Sequence, residues 1–181
     1  NGGMSQNNNF SNNYIGRLYD FSSNNAFYNN VFFGAFNGGF GPSVNAVSNS
    51  TFENNIFFPG VDDVSNSIFN NNLFITLNGD VSSINGNIGS NNIDVGSASL
   101  IFVNQSGDTG YNASQDYHLK STSLGKNAGK DGTDIGTYGG TFPWKDGAVP
   151  FNPHIISSTI SNKTNSNGTL HVRIKVAAQN H

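Results

Sequence analysis

Phe52-Glu-Asn-Asn-Ile-Phe57 carries the phrase on which this chain is built: an apolar residue, a spacer, an Asn pair, then two more apolar residues. The phrase recurs as Phe10-Ser-Asn-Asn-Tyr-Ile15, Phe27-Tyr-Asn-Asn-Val-Phe32 and Phe69-Asn-Asn-Asn-Leu-Phe74, with a worn copy at Ile88-Gly-Ser-Asn-Asn-Ile93. Counted on the second Asn of each pair (Asn13, Asn30, Asn55, Asn72, Asn92), the steps are 17, 25, 17 and 20 residues, the span of one repeat in a solenoid.

The flanking residues are β-branched or aromatic and the apolar segments are short, which are strand signals. Gly and Asn interrupt every candidate helix. Asn tolerates a left-handed backbone, so each Asn pair reads as a corner between two strands. If every repeat turns that corner once, equivalent Asn residues stack about 4.8 Å apart and their amides form a ladder, while Phe and Ile stack into a narrow core.

Only 10% of the residues are charged, against 32 Asn and 22 Gly, so solubility must rest on neutral polar side chains. Fifteen Phe at recurring places give each repeat something to bury, which separates the chain from a disordered Asn- and Gly-rich segment. Cysteine is absent, which excludes disulfides and thiolate metal sites. No apolar run approaches the roughly 20 residues of a membrane-spanning helix. The chain opens on Asn1-Gly-Gly and its only Met is Met4, so residue 1 is expected to lie within a longer or processed protein.

Charge is uneven. Residues 1 to 116 hold eight acids and one base, Arg17, giving −7; residues 117 to 181 hold seven bases and three acids, giving +4. Neither part is basic enough for nucleic acid.

The recurring phrase resembles the right-handed parallel β-helix proteins of the pectate-lyase-like superfamily over about residues 7 to 95. That resemblance implies an all-β, right-handed parallel β-helix (solenoid) with a C-terminal cap and β-hairpin extension. A second resemblance lies in Asp116-Tyr-His-Leu119 and the Asp131-Gly-Thr-Asp-Ile-Gly-Thr-Tyr-Gly-Gly140 stretch, which look like the closing segment of secreted bacterial β-helix proteins. The expected organisation is coils over 1–116, a last coil and cap over 117–147, and a hairpin tail over 148–181. The tail resembles C-terminal extensions of Bacteroidetes-type proteins. It implies a secreted or cell-surface protein whose tail docks on the β-helix or on an export or attachment partner. In its second strand Leu170, Val172, Ile174 and Val176 alternate with His171, Arg173 and Lys175, predicting one buried face and one basic, wet one.

Within the repeats, function is expected where the pattern is broken. The longer second repeat places Phe36 and Phe40 in Gly34–Ser43, where they either stack on sugar rings or fold back over apolar surface. Asp62 and Asp63 are the other candidates for contact with polysaccharide or another surface protein. A polysaccharide lyase on this fold needs a Lys or Arg base, yet residues 1 to 116 hold only Arg17. Glycoside hydrolysis needs two converging carboxylates, with Glu53, Asp62, Asp63, Asp80 and Asp94 as candidates; Glu53 is expected to face solvent. Asp131 and Asp134 match no calcium motif and are read as carboxylates holding turn amides, so no metal or cofactor is assigned. The leading expectation is a non-catalytic structural or adhesive module; the alternative is a polysaccharide lyase, a glycoside hydrolase, or the remnant of one.

Overall fold

The Asn pairs stand at the corner between two parallel sheets. In a computed structural model, which describes residues 6–21, 23–36, 39–58, 60–76, 79–105, 110–148 and 152–178 (side chains at 35, 36, 39, 40 and 148 excepted), the chain forms two compact units, Asn1–Pro143 and Trp144–His181. The first unit is a β-solenoid. Sheet A stacks Asn9–Ser11, Ala26–Tyr28, Thr51–Glu53, Ile68–Asn70 and Ile88–Ser90. Sheet B stacks Tyr14–Ile15, Val31–Phe32, Ile56–Phe57, Leu73–Phe74 and Ile93–Asp94. Sheet C stacks Leu18–Tyr19, Val44–Ser48 and Val61–Ser65, and all the pairings in these three sheets are parallel.

Each Asn of the pair has a separate task at the A-to-B corner. The first takes the left-handed backbone: φ is 56° at Asn12, 55° at Asn29, 58° at Asn54, 53° at Asn71 and 58° at Asn91. The second turns inward and builds a ladder. Oδ1 of Asn55 accepts from both N and Nδ2 of Asn30 (2.9 and 3.1 Å), and Asn55 donates the same pair of bonds to Asn72. The other Nδ2 hydrogen of Asn55 goes to the Phe27 carbonyl at 2.9 Å, so the buried amide is fully satisfied. The same pattern links Asn13 to Asn30 and Asn72 to Asn92.

A second ladder runs along the C-to-A corner. Asn24, Asn49, Asn66 and Asn85 are left-handed there. Residues one or two positions further on satisfy the next backbone amide in turn: Asn8 N donates to Asn25 Oδ1, Asn25 N to Ser50 Oγ, Ser50 N to Ser67 Oγ, and Ser67 N to Asn87 Oδ1, at 2.9 to 3.2 Å.

Between the ladders the core is a pair of Phe stacks. Phe10, Phe27, Phe52 and Phe69 stack with their ring planes nearly parallel at centroid spacings of 5.2, 4.8 and 4.7 Å, and Phe32, Phe57 and Phe74 follow at 5.0 and 5.0 Å. Val44, Val47 and Val64 close the interior from sheet C. The worn fifth copy is a terminal rung. Gly89 and Asp94 stand where Phe69 and Phe74 stand one rung earlier. There Asp94 Oδ1 accepts from the amides of Gly79 and Asp80 at 3.1 and 3.0 Å, and Val81 packs into the Phe core in place of a ring. A Cβ at Gly89 would stand 3.1 Å from Ser82 Cβ, so this rung has no room for a Phe.

Residues 117–147, the segment expected as a last coil and cap, follow the last parallel rung. After the last parallel rung, Phe102–Asn104 pairs antiparallel with Asp116–Leu119. These strands and the following segment cover the outer face of sheet B. Val31, Phe33, Ile56, Phe58 and Leu73 share one buried cluster with Ile101, Phe102, Tyr117, Leu119 and Ile135. Residues 125–140 then run back along the A-to-B corner as a strap. Asn71 Nδ2 donates to the Ala128 carbonyl (3.0 Å), Asn54 Oδ1 accepts from Lys130 N (2.9 Å), and Asn12 Nδ2 donates to the Thr137 and Gly139 carbonyls (both 2.9 Å). The physical reason is that sheet B is apolar on both faces and needs a cover more than it needs another rung.

The second unit is an antiparallel hairpin of His154–Ile160 with Val172–Ala177, with a register shift between Ile155 and Ser157. The alternation expected from sequence is present. Within this unit Ile155, Ile160, Val172, Ile174 and Val176 are exposed.

Candidate functional site

Sheet A presents its outward residues beside the strap, and the step between them forms a groove of about 230 Å3. Because side chains alternate along a strand, the inward Phe10, Phe27 and Phe52 set Ser11, Tyr28 and Glu53 on the outer face, in register across three rungs. Asn12, Asn29 and Asn54 form the floor at the corner, and Asp131, Gly140, Thr141 and Phe142 the opposite wall.

Glu53 was expected to face solvent, and instead it is largely covered. Lys130 Nζ reaches it from the strap at 2.7 Å, leaving the Glu53 side chain 17% exposed. The hydrogen bond to Glu53 and its charge hold the Lys130 ammonium above its ordinary pKa. Asp131 Oδ1 accepts from Thr133 N and Oγ1 at 3.1 and 2.7 Å, and the Thr133 hydroxyl in turn accepts from Gly140 N at 2.7 Å, fixing this wall. Phe142 is 80% exposed at the rim.

Asn29 stands apart from Asn12, Asn54 and Asn71. Asn12, Asn54 and Asn71 each bind the strap, but Asn29, only 6% exposed, has an Nδ2 with no acceptor among the described residues. Above it the strap carries glycine: a Cβ at Gly140 would come 3.0 Å from Asn29 Oδ1, and its φ of 78° also excludes most side chains.

The residues singled out from sequence do not meet in this groove. The backbones of Ala35–Phe36 and Gly39–Phe40 pair as a small antiparallel hairpin, while the Phe36 and Phe40 side chains lie outside the described residues. Asp62 and Asp63 are on sheet C, exposed, with Asp63 N donating to Asp62 Oδ1 at 2.9 Å. Other acids hold local turns. Asp80 binds Ser82 N and Oγ, and Asp134 takes Asn127 N (3.0 Å) and Lys126 Nζ (2.6 Å). Asp116 binds the His118 amide and ring at 2.9 and 2.6 Å, and His118 stacks on Tyr138 with centroids 3.8 Å apart. Burial opposes ionisation of Asp116, yet these bonds hold its pKa below the usual 3.8. Under the strap, burial pushes the Tyr14 hydroxyl up to about 12, so it is neutral. Among the described residues no three His, Asp or Glu side chains gather as a metal site, and no helix is long and apolar enough to cross a membrane.

Sequence reasoning missed Tyr28, Asn29, Asp131 and Phe142 as a set, because the strap brings residues about 100 positions apart together by a path that no periodicity encodes. The available signal was Tyr28 at the spacer position, the one aromatic among Ser11, Tyr28, Glu53 and Asn70. Compared with protein-family models, with curated proteins and with solved structures, the chain matches none.

Proposed function

We propose that this chain is a non-catalytic structural or adhesive β-solenoid module of a secreted or cell-surface bacterial protein, related to the pectate-lyase-like superfamily, and that it contacts polysaccharide through the groove between sheet A and the strap. The observation that carries the reading is the makeup of that groove: aromatic rings at Tyr28 and Phe142 beside hydroxyls, amides and carboxylates on a rigid wall. Sugar rings present C–H faces to aromatics and hydroxyls to polar groups, which is the chemistry this lining offers. Rigid stacked rungs hold it in place without an ordering cost on binding. Secretion rests on the likeness of Asp116–Gly140 to closing segments of exported β-helix proteins.

The second reading, a glycoside hydrolase or its remnant, draws on the two carboxylates of Glu53 and Asp131 in one groove. Against it, the Glu53 carboxylate is occupied by the Lys130 ammonium at 2.7 Å, in the place where a reacting glycosidic oxygen would have to sit. Pull-down of the purified chain on insoluble polysaccharides, with a reducing-end assay on the same samples, separates the two. Retention without new reducing ends is expected; release of reducing ends that disappears in Glu53→Gln would establish the hydrolase.

A further inference from the structure

We infer that a pocket beside the end of the fifth rung, walled by Leu100 and Leu124 with Lys120 on its lining, takes a short aliphatic monocarboxylate. This site is separate from the sheet A groove and does not rest on the polysaccharide reading.

Two turns build it. The chain leaves the fifth rung at Val95 and makes a 3₁₀ turn over Ala98–Leu100, where Ser97 Oγ accepts from Ser99 N at 3.3 Å. The second turn follows strand Asp116–Leu119 and carries Thr122 and Leu124, with Ser123 N donating to the Lys120 carbonyl at 2.9 Å. Lys120 N donates to the Ile101 carbonyl at 2.8 Å and ties the two turns together. Ala98, Ile101 and Leu119 belong to the core over sheet B, so both turns stand on a packed base.

Three observations point to the ligand. The first is the apolar lining. Val95, Ser99, Leu100, Lys120, Thr122 and Leu124 enclose about 340 Å3. Leu100 and Leu124 are 57% and 59% exposed, whereas Leu18, Leu73 and Leu119 are buried. A single exposed leucine is ordinary, but two on one concavity mark a place that something apolar fills.

The second is a cation without an acid. Lys126 and Lys130 are ion-paired with Asp134 and Glu53, but among the described residues no carboxylate pairs with Lys120. Its Nζ donates to the Ser99 carbonyl at 2.6 Å, which uses one of three N–H groups and none of the charge. A carboxylate arriving beside an apolar wall takes the remaining donors as charge-assisted bonds.

The third is size. A volume of 340 Å3 lies at the small end of ligand pockets, which run from roughly 300 to 1,000 Å3, and so suits one short chain. One cation matches one carboxylate, and a second would meet an apolar lining that cannot solvate it.

Amide chemical shifts of the whole chain, followed by NMR during titration with octanoate, octanol and octylammonium, test this. Octanoate is expected to shift the amides of residues 95–100 and 120–124 saturably and to bind about tenfold more tightly than octanol, with no binding of octylammonium. Lys120→Met keeps the apolar stem and removes the ammonium, so it should bring octanoate down to the affinity of octanol. Leu124→Ser, at an exposed position, should weaken both about tenfold with circular dichroism unchanged. Octanoate that leaves these amides unshifted, or that binds Leu124→Ser undiminished, overturns the pocket. Octanoate binding to Lys120→Met as tightly as to wild type, or octylammonium binding as well as octanoate, overturns the assignment of ligand class.

Discussion

One residue type does two physically different jobs in this chain, and neighbouring positions show the division. The first Asn of each pair is chosen for its backbone, since only Gly, Asn and Asp enter the left-handed region readily. The second is chosen for an amide that can give two bonds and take two. Asn55→Ala is therefore expected to cost about 3 kcal/mol or more, because it strands the buried amide groups of Asn30 and leaves the Asn72 and Phe27 acceptors short. Asn13→Ala, at an exposed end of the same ladder, is expected to cost under about 1 kcal/mol. Urea denaturation of both variants checks this, and equal losses would contradict the ladder. A pH effect belongs at the same scale. Asp116 has a depressed folded pKa, so its bonds to His118 contribute stability above about 3.8 that is lost as pH falls through the lower folded value. In an Asp116→Asn variant that acid-side loss should be absent. The pair is nearly half exposed, so the wild-type advantage at neutral pH should stay below about 1 kcal/mol in thermal melts. The A-to-B ladder was legible in sequence because the same letter repeats at every rung. Its counterpart was not, since Asn8, Asn25, Ser50, Ser67 and Asn87 alternate between an amide and a hydroxyl that accept the same N–H.

Among elements, the strap is what distinguishes this solenoid from a bare stack. Its glycines let the backbone lie directly on sheet B. Gly136 has φ of 94°, and a Cβ there would come 2.7 Å from Ile56 Cδ1, so Gly136→Val should lift the strap and cost about 1–3 kcal/mol. Lys130→Ala removes only a solvent-accessible ion pair with Glu53 and should leave stability close to wild type. Limited proteolysis within 125–140 distinguishes them: rapid cleavage is expected for Gly136→Val and near wild-type resistance for Lys130→Ala. The existence of a cover was written in the sequence, though its course was not. Val31-Phe-Phe33, Ile56-Phe-Phe58 and Leu73-Phe-Ile75 are runs of three apolar residues, and an unbroken run on a strand means that both faces are buried. Which segment supplies the cover depends on tertiary packing of Ile101, Tyr117 and Ile135, spread over more than 30 positions with no common period.

At the scale of the whole stack, the two outermost described rungs are built differently. The fifth rung replaces both core Phe positions with Gly89 and Asp94 and is closed by the turn carrying Val81, whereas Phe10 at the first described rung stacks on Phe27, meets Phe21 edge-on and is only partly covered. Stability should therefore be greatest in the middle rungs, where each Phe is sandwiched. Phe52→Ala is expected to cost about 3–5 kcal/mol, and Phe10→Ala clearly less, by the same denaturation measurement. The groove inherits this rigidity, since its Tyr28 and Glu53 stand on the two best-supported strands of sheet A. The most direct check on the stacked ladder is amide hydrogen exchange followed by NMR. The backbone N–H groups of Asn30, Asn55 and Asn72, each bonded to the next Asn side chain, should exchange only through global unfolding, orders of magnitude more slowly than those of Val172–Ala177 in the exposed hairpin. Exchange of the three Asn amides as fast as that of the hairpin would contradict the ladder and the solenoid built on it.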